Sequence, residues 1–296
     1  MSLNPSQKAA VLVEALPYIR RFSGQIMVVK YGGNAMPVIA PSSTAASPGV
    51  AGDLTLFAED VALLHSVGIK VVVVHGGGPQ IGAMLQKLGI ESRFVDGLRV
   101  TDAETLDVVR MVLVGKVNRD IVSALNVHGP IAVGVSGEDA ALLQAKPHSD
   151  EHGFVGNVHE VRTGVVDRLL AQDLVPVIAT IGVDDDGQSY NINADTAAGA
   201  IADALGAGKL VYLTDIEGIR RDVGDATSLI STIGADELQS LIADGTVTEG
   251  MIPKVASCVQ AVKGGVGHAH ILDGRVPHAV LLEIFTNAGV GTMVTG

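Results

Sequence analysis

Apolar positions along this chain recur with two periods, and the switching between them predicts its elements. In residues 8–22, Leu12, Ala15, Leu16, Ile19 and Phe22 fall three and four apart, the stripe of an amphipathic helix. Pro17 lies inside it with no N–H to donate, so a kink is expected there. An apolar stripe ahead of the first strand needs a cover, either the body of its own domain or a neighbouring subunit. β-rich runs follow at 25–30 and 70–74, closed by the glycine turns Tyr31-Gly32-Gly33-Asn34 and His75-Gly76-Gly77-Gly78-Pro79. Pro79 suits the first position of a helix over 80–88. Thr101 with Glu104 has capping-box spacing and opens a long helix to about Leu125. Further strands are predicted over 131–135, 174–181 and 209–214, and helices over 165–172, 195–205 and 250–263.

Continuous β-branched runs alternating with helices predict an α/β fold, a mainly parallel sheet covered on both faces. Two stretches interrupt the alternation. Residues 37–52 are rich in Ala, Ser and Pro and read as a mobile loop. Residues 146–158, which with the adjoining His159 hold three of the nine histidines, read as a hairpin or surface excursion. No internal repeat is visible, and the lobe boundary is expected at the acidic turn Asp184-Asp185-Asp186-Gly187.

Composition narrows the function classes. The 296 residues suffice for one large domain or two lobes of about 150 residues. At 47% hydrophobic the chain is not disordered. Five Phe, four Tyr and no Trp leave little for stacking single-stranded nucleic acid. A net charge of −12 argues against a broad polyanion surface, so any phosphate must be held locally by a few lysines and backbone N–H groups. The single cysteine, Cys258, excludes an internal disulfide or a cysteine metal cluster. The first residues carry no apolar signal core, and no apolar run reaches the 18 or so residues of a membrane span. A soluble, cytoplasmic protein of a reducing compartment, with no membrane or nucleic-acid partner, is expected.

The 36 glycines cluster after apolar runs. Glycines after a strand let backbone N–H groups point outward, and a following helix start adds partial positive charge, together an anion site. One such turn alone is as well explained by a steep bend; two on separate strands point to a ligand. Neither fits a Walker loop, and Gly76-x-Gly78-x-x-x-Gly82 is one residue longer than the dinucleotide fingerprint, which argues against a P-loop enzyme or a dehydrogenase. Lys30 ends an apolar strand just before a glycine turn, at the edge where α/β proteins bind ligands. Lys254 falls in the first turn of its helix, where the dipole disfavours a cation unless an anion is near. In Asn191-Ile192-Asn193-Ala194-Asp195, Asn193 or Asp195 fits a helix cap, and the alternating asparagines also suit a small neutral ligand. Arg99 suits a carboxylate clamp or a surface place. His75 fits a structural role as well as a catalytic one, and the histidines show no metal-ligand spacing.

These residues resemble the N-acetyl-L-glutamate kinases of the amino acid kinase family. The matching blocks are Val29 to Met36, Val74 to Gln80, Gly97 to Thr101, Asn191 to Asp195, Leu213-Thr214-Asp215 with Gly218, Gly250 to Lys254, and Glu283 to Thr286 with Gly291 to Met293. They run in family order over nearly the whole chain, the departure being the long 37–52 stretch. The resemblance implies an open αβα sandwich with an acyl-substrate lobe over 25–183 and a nucleotide lobe over 184–296. It implies transfer of the ATP γ-phosphoryl to the side-chain carboxylate of N-acetylglutamate, with Mg2+, in arginine biosynthesis. Lys30 and Lys254 would be the phosphoryl-stabilising catalytic groups and Asp195 their orienter. Gly32, Gly33 and Gly76 would bind phosphate; Gly77, Gly78, Arg99, Asn191 and Asn193 the acyl substrate; Thr214, Asp215 and Gly218 the nucleotide. No protein metal ligands are expected.

Residues 1–24 resemble the kinked N-terminal helix of the arginine-inhibited, homohexameric branch, which implies a feedback site for L-arginine at Tyr18, Lys209, His270, Glu283 and Gly289. The rival readings are a kinase of the same fold acting on glutamate, aspartate, carbamate or a nucleoside monophosphate, and a non-catalytic arginine sensor.

Overall fold

The computed structural model describes residues 4–32, 54–222, 224–247, 251–286 and 289–296. Gly33 and the loop expected over 37–52 lie outside the described residues.

Helix α1 (Pro5–Phe22) starts earlier than the apolar stripe suggests, because Asn4 and Gln7 form a reciprocal capping box and Pro5 takes the first position. Of the stripe, Phe22 is buried while Leu12 and Leu16 stay exposed. Next come β1 (Ile26–Tyr31), α2 (Leu54–Ser66), β2 (Lys70–His75), α3 (Gly78–Leu88) and a small hairpin, β3 (Phe94–Val95) with β4 (Leu98–Arg99). The long helix predicted after Thr101 runs unbroken over 103–126, with its middle wound as a π-helical stretch (Met111–Val117) between α4 (Ala103–Arg110) and α5 (Asn118–Asn126). Its cap is Asp102, whose carboxylate accepts from the Thr105 N–H, and not Thr101.

Strand β5 (Ala132–Ser136) leads to β6 (Leu143–Pro147), β7 (Val155–Val161), α6 (Gly164–Ala171), β8 (Val175–Ala179), β9 (Ile181–Val183) and β10 (Ser189–Ile192). The run expected as one strand over 174–181 thus breaks at Thr180, and its continuation, β9, joins a different sheet. Residues 146–158 do form a hairpin, but its strands β6 and β7 close a four-stranded barrel with β9 and β10. The chain then runs α7 (Ala194–Ala204), β11 (Lys209–Thr214), β12 (Thr232–Gly234), α8 (Ala235–Ala243), α9 (Ile252–Gly264), β13 (His268–Asp273), α10 (Ala279–Phe285) and β14 (Thr292–Thr295).

The main sheet has eight strands in the order β12-β14-β13-β11-β1-β2-β8-β5, and only the β13–β14 pairing is antiparallel. Alternate residues face opposite sides, and both sides are buried. Val28, Val72, Leu210 and Tyr212 join the core under α7 and α9, and Met27, Val29, Val71 and Leu213 the core under α2 and α5. Strand β1 sits between β2 and β11: the chain passes from β1 to β2 and β8 on one side, then crosses back to β11 on the other. That reversal opens a crevice at the carboxyl ends of the strands, the place where open α/β sheets bind ligands. Lys30 pairs in register with Val74 and Tyr212 at this edge, and His75 with Tyr31 and Ala179.

Candidate active site

Lys30 and Lys254, 224 positions apart in sequence, meet on one carboxylate. Lys30 Nζ forms an ion pair with Asp195 Oδ1 at 2.8 Å, and Lys254 Nζ donates to Oδ2 at 2.9 Å. Their side chains are 6%, 21% and 7% exposed for Lys30, Lys254 and Asp195. Burial alone would push the Asp195 carboxyl up, but the two ammonium charges outweigh it and hold the carboxyl below the usual carboxylate range. Two cations against one anion leave a net positive charge at the bottom of the crevice, which an anionic ligand would neutralise. Asp195 is also tied by its backbone, whose carbonyl accepts from Tyr212 Oη at 3.1 Å and Ser257 Oγ at 2.8 Å.

A cavity of about 200 Å³ opens beside this pair. Lys30, Asp195, Gly76, Gly77, Gly78, Arg99, Asn191 and Asn193 all line it, so the residues singled out for the acyl substrate do converge. Two helix N-termini face it. Helix α3 begins at Gly78 after an uncapped Gly77, leaving N–H groups for an anion, and α7 is capped by Asn193. Asn193 Oδ1 accepts from the Asp195 and Thr196 N–H groups at 2.9 and 3.1 Å, so this oxygen is committed to the cap. Asn191 donates to Thr101 Oγ1 at 3.2 Å. Arg99 stacks 4.7 Å above the Phe94 ring and donates to the Gly78 carbonyl at 3.1 Å and to Ser92 Oγ.

The glycines are close-approach positions. A Cβ on Gly32 would lie 3.3 Å from the Gly76 nitrogen and 3.4 Å from Lys30 Nζ. One on Gly77 would lie 2.7 Å from Leu113 Cδ2 on the π-helical stretch. That stretch is followed by Asn118, the first residue of α5 and a fully buried residue that sequence reasoning missed. Its amide nitrogen donates to His75 Nε2 at 3.0 Å and to the Val177 carbonyl at 2.8 Å, and His75 Nδ1 then donates to the Gly76 carbonyl at 3.0 Å. His75 is therefore a neutral clamp on the glycine turn. Burial pushes its pKa down to about 4. Between pH 6.5 and 4 the unfolded chain takes up a proton that the folded ring refuses, so stability falls as pH drops across that window. Asn118→Ala is expected to cost about 1–3 kcal/mol in thermal or urea unfolding, as an unsatisfied buried acceptor does. An unchanged midpoint would show that the clamp does nothing for stability.

A second cavity, about 310 Å³, borders the start of α9, the helix whose Lys254 joins the ion cluster. Asp215 and Gly218 line it, while Thr214 is buried and donates to the Ile216 and Leu272 carbonyls. Gly218 has φ +150°, and a Cβ there would lie 2.6 Å from Thr292 Oγ1. Sequence reasoning missed Arg220, Arg275 and Thr246 in its wall, which belong to no common motif and come from three separate connections. Helix α9 gives Met251 and Val255 to this second cavity, while its Lys254 reaches the carboxylate lining the first.

The remaining predicted group gathers away from both cavities. Lys209 Nζ donates to His270 Nε2 at 2.9 Å, His270 Nδ1 donates to Glu283 Oε1 at 2.7 Å, and Glu283 Oε2 accepts from the Val290 N–H at 2.8 Å. A Cβ on Gly289 would lie 3.0 Å from Glu283 Oε2. Burial pushes Lys209 down to about 8 and also lowers His270. Tyr18 is half-buried on α1, which packs on α10, the helix of Glu283.

The profile of the amino acid kinase family matches residues 25–273. An acetylglutamate kinase of Acidothermus cellulolyticus is 54% identical over 298 residues, with 97% of this chain and 96% of that protein covered. One of Heliobacterium modesticaldum is 50% identical over 304 residues, covering 99% of both. Among solved structures, N-acetylglutamate synthase from Neisseria gonorrhoeae, complexed with coenzyme A and N-acetyl-glutamate, superposes with a TM-score of 0.82 at 27% identity. That match covers 97% of this chain but 63% of the synthase. The same synthase complexed with coenzyme A and L-arginine gives 0.76. Carbamate kinase from Giardia lamblia bound to AMP-PNP gives 0.69 at 19% identity, a likeness of fold. With its doubly paired Asp195 in the wall of the glycine-lined cavity, and with relatives matching end to end, this chain belongs to the amino acid kinase family and, within it, to the acetylglutamate kinases.

Proposed function

We propose that this enzyme transfers the γ-phosphoryl group of ATP to the side-chain carboxylate of N-acetyl-L-glutamate, giving N-acetyl-L-glutamyl 5-phosphate. The observation that carries this reading is the pair of lysines sharing Asp195 in the wall of one cavity, with the helix of Lys254, α9, bordering a second. The acyl substrate occupies the cavity of Arg99 and the glycine turn, which draws on the lobe over 25–183 and, across the β9–β10 hairpin that holds the expected boundary at 184–187, on Asn191 and Asn193. The nucleotide occupies that of Asp215 and Gly218, in the lobe over 184–296. The curated relatives' name, acetylglutamate kinase, supports the choice of acceptor over glutamate, aspartate or carbamate.

A carboxylate is already a nucleophile, so the step needs no general base. One of its oxygens forms the new bond to phosphorus as the bond to the β,γ-bridging oxygen breaks, and the electron pair leaves with ADP. The protein's task is to bring two anions into line and to stabilise charge on the equatorial oxygens. Lys30 and Lys254 supply that charge. Asp195 fixes both ammonium groups in advance, so they need no reorganisation as the reaction proceeds. The N–H groups of Gly32 and Gly33 donate to phosphate oxygens, and that of Gly76 joins them by giving up its 3.3 Å bond to the Tyr31 carbonyl. Those of Gly77 and Gly78 hold the acyl substrate, with Arg99 released from the Gly78 carbonyl to grip its α-carboxylate and Asn191 and Asn193 beside it.

The fit to a magnesium nucleotide rests on the second cavity, where the Arg220 and Arg275 cations stand among Asp215 and Glu217. Among the described residues no group of three or more His, Cys, Asp or Glu side chains is placed to hold a metal ion by itself. Mg2+ readily binds through substrate phosphates while keeping waters. It would enter as Mg·ATP and neutralise charge between the β- and γ-phosphates. Trapping the acyl phosphate with hydroxylamine tests the reaction: hydroxamate should form only with N-acetylglutamate and ATP together. Hydroxamate from glutamate, aspartate or carbamate in its place would overturn the acceptor.

The same reading extends to feedback control. L-arginine would bind at Tyr18, Lys209, His270, Glu283 and Gly289, where Glu283 suits its guanidinium or amino group. Helix α1, with Val11, Leu12, Val13 and Leu16 exposed, would join dimers into a homohexamer in the cytoplasm. Deleting residues 1–22 is expected to reduce the assembly size in light scattering and to abolish inhibition by arginine. A truncated enzyme of unchanged size and arginine response would refute this part.

A further inference from the structure

Helix α2 and the turn after β13 are joined by a contact that the phosphoryl-transfer reading does not use. Asp60 on α2 is 3% exposed. Its Oδ1 lies 2.6 Å from Nδ1 of His278, a residue 218 positions later and 42% exposed at its side chain. His278 is also one of five non-glycine residues with positive φ among the described residues, at φ 57° and ψ 31°. A non-glycine residue held there persists only where its surroundings over-determine it. Here the buried carboxylate does so.

What the contact fixes is the turn over 274–278. The turn is anchored at its start by the Gly274 N–H on the Thr214 carbonyl at 2.8 Å. At its end it is held by His278 on Asp60. Between these anchors stands Arg275, which lines the second cavity. Asp273 grips its guanidinium with both oxygens at 2.8 Å, which sets its fork in one orientation. The side chain remains 47% exposed towards the cavity, with Asp215 and Glu217 nearby.

We infer that the Asp60–His278 pair is a positioning device for the nucleotide: it locks the 274–278 turn so that Arg275 presents its charge to the phosphates. The inference rests on the nucleotide reading of the second cavity. Helix α2 thereby couples to the nucleotide site without touching it.

Asparagine makes the test specific. Its Nδ2 occupies the place of histidine Nδ1, and asparagine tolerates positive φ. His278→Ala is expected to raise KM for ATP roughly five- to tenfold with kcat within about twofold, the size of one misplaced hydrogen-bonded group. His278→Asn should restore the wild-type KM. Asp60→Ala breaks the contact from the other side and should reproduce the rise, which keeps the test alive if the His278→Ala protein does not fold. In an Arg275→Ala background neither change should raise KM for ATP further, because the effect passes through that guanidinium. An unchanged KM for ATP in both alanine variants, no rescue by asparagine, or additive effects with Arg275→Ala would each overturn the inference. A wild-type enzyme whose rate does not depend on ATP would instead overturn the nucleotide reading itself.

Discussion

Lys30→Ala and Lys254→Ala are each expected to lower kcat by roughly 10²–10³, the usual loss for one preorganised donor at a developing charge. The loss should appear mainly in kcat, because charge on the transferring group is most spread in the transition state. Arginine at either position should not restore the rate. The planar fork cannot reproduce a point ammonium that shares Asp195 at 2.8 or 2.9 Å with the other lysine. Single-turnover measurements with N-acetylglutamate and Mg·ATP check this directly. Near-normal turnover by either alanine variant would remove the pair from the chemistry and leave only a structural ion cluster.

Asp195→Asn should show the other side of the same cluster. It leaves two cations, one of them on a side chain 6% exposed, without their counter-charge. Removing one partner from a buried ion pair costs about 3–5 kcal/mol. A fall in Tm of roughly 10 °C follows for a chain of this size. The pH dependence carries a definite sign. The folded carboxyl is held below its ordinary value, because the lysine charges outweigh burial. Its contribution to stability is complete above the unfolded value near 3.9 and is lost as pH falls through the lowered folded value. The Tm gap between wild type and Asp195→Asn should therefore be constant above about pH 5 and close below about pH 4. A gap that persists unchanged at pH 3 would mean that the variant loses packing and not charge.

Much of the fold was legible because its signals are local. The strand over 209–214 coincides with β11, and the runs ending in Lys30 and Val74 fall within one residue of β1 and β2. β-Branched runs bounded by glycine leave few alternatives. Errors arose where tertiary packing overrides local preference. The run over 174–181 is uniformly apolar, yet its end leaves the main sheet at Thr180 to enter the barrel, and no periodicity marks that exit. The π-helical stretch has the apolar spacing of an ordinary helix and widens where Leu113 and Val117 pack against Gly77. Thr101 looked like a cap by spacing, but it is fully buried, and its hydroxyl donates to the Arg99 carbonyl and accepts from Asn191.

The candidate residues divide in the same way. By itself the sequence determined the glycine turns, the lysine at the end of an apolar strand and the asparagine-rich start of α7. Each rests on residue type and on neighbours within a turn or two. Only the tertiary structure decided that Lys30 and Lys254 share one carboxylate, that His75 is a neutral clamp held by Asn118, and that Arg220 and Arg275 face one cavity. These are contacts between segments far apart in the chain. Their geometry is fixed by how the sheet orders its strands and by which buried polar groups must find partners, and neither leaves a trace in local spacing.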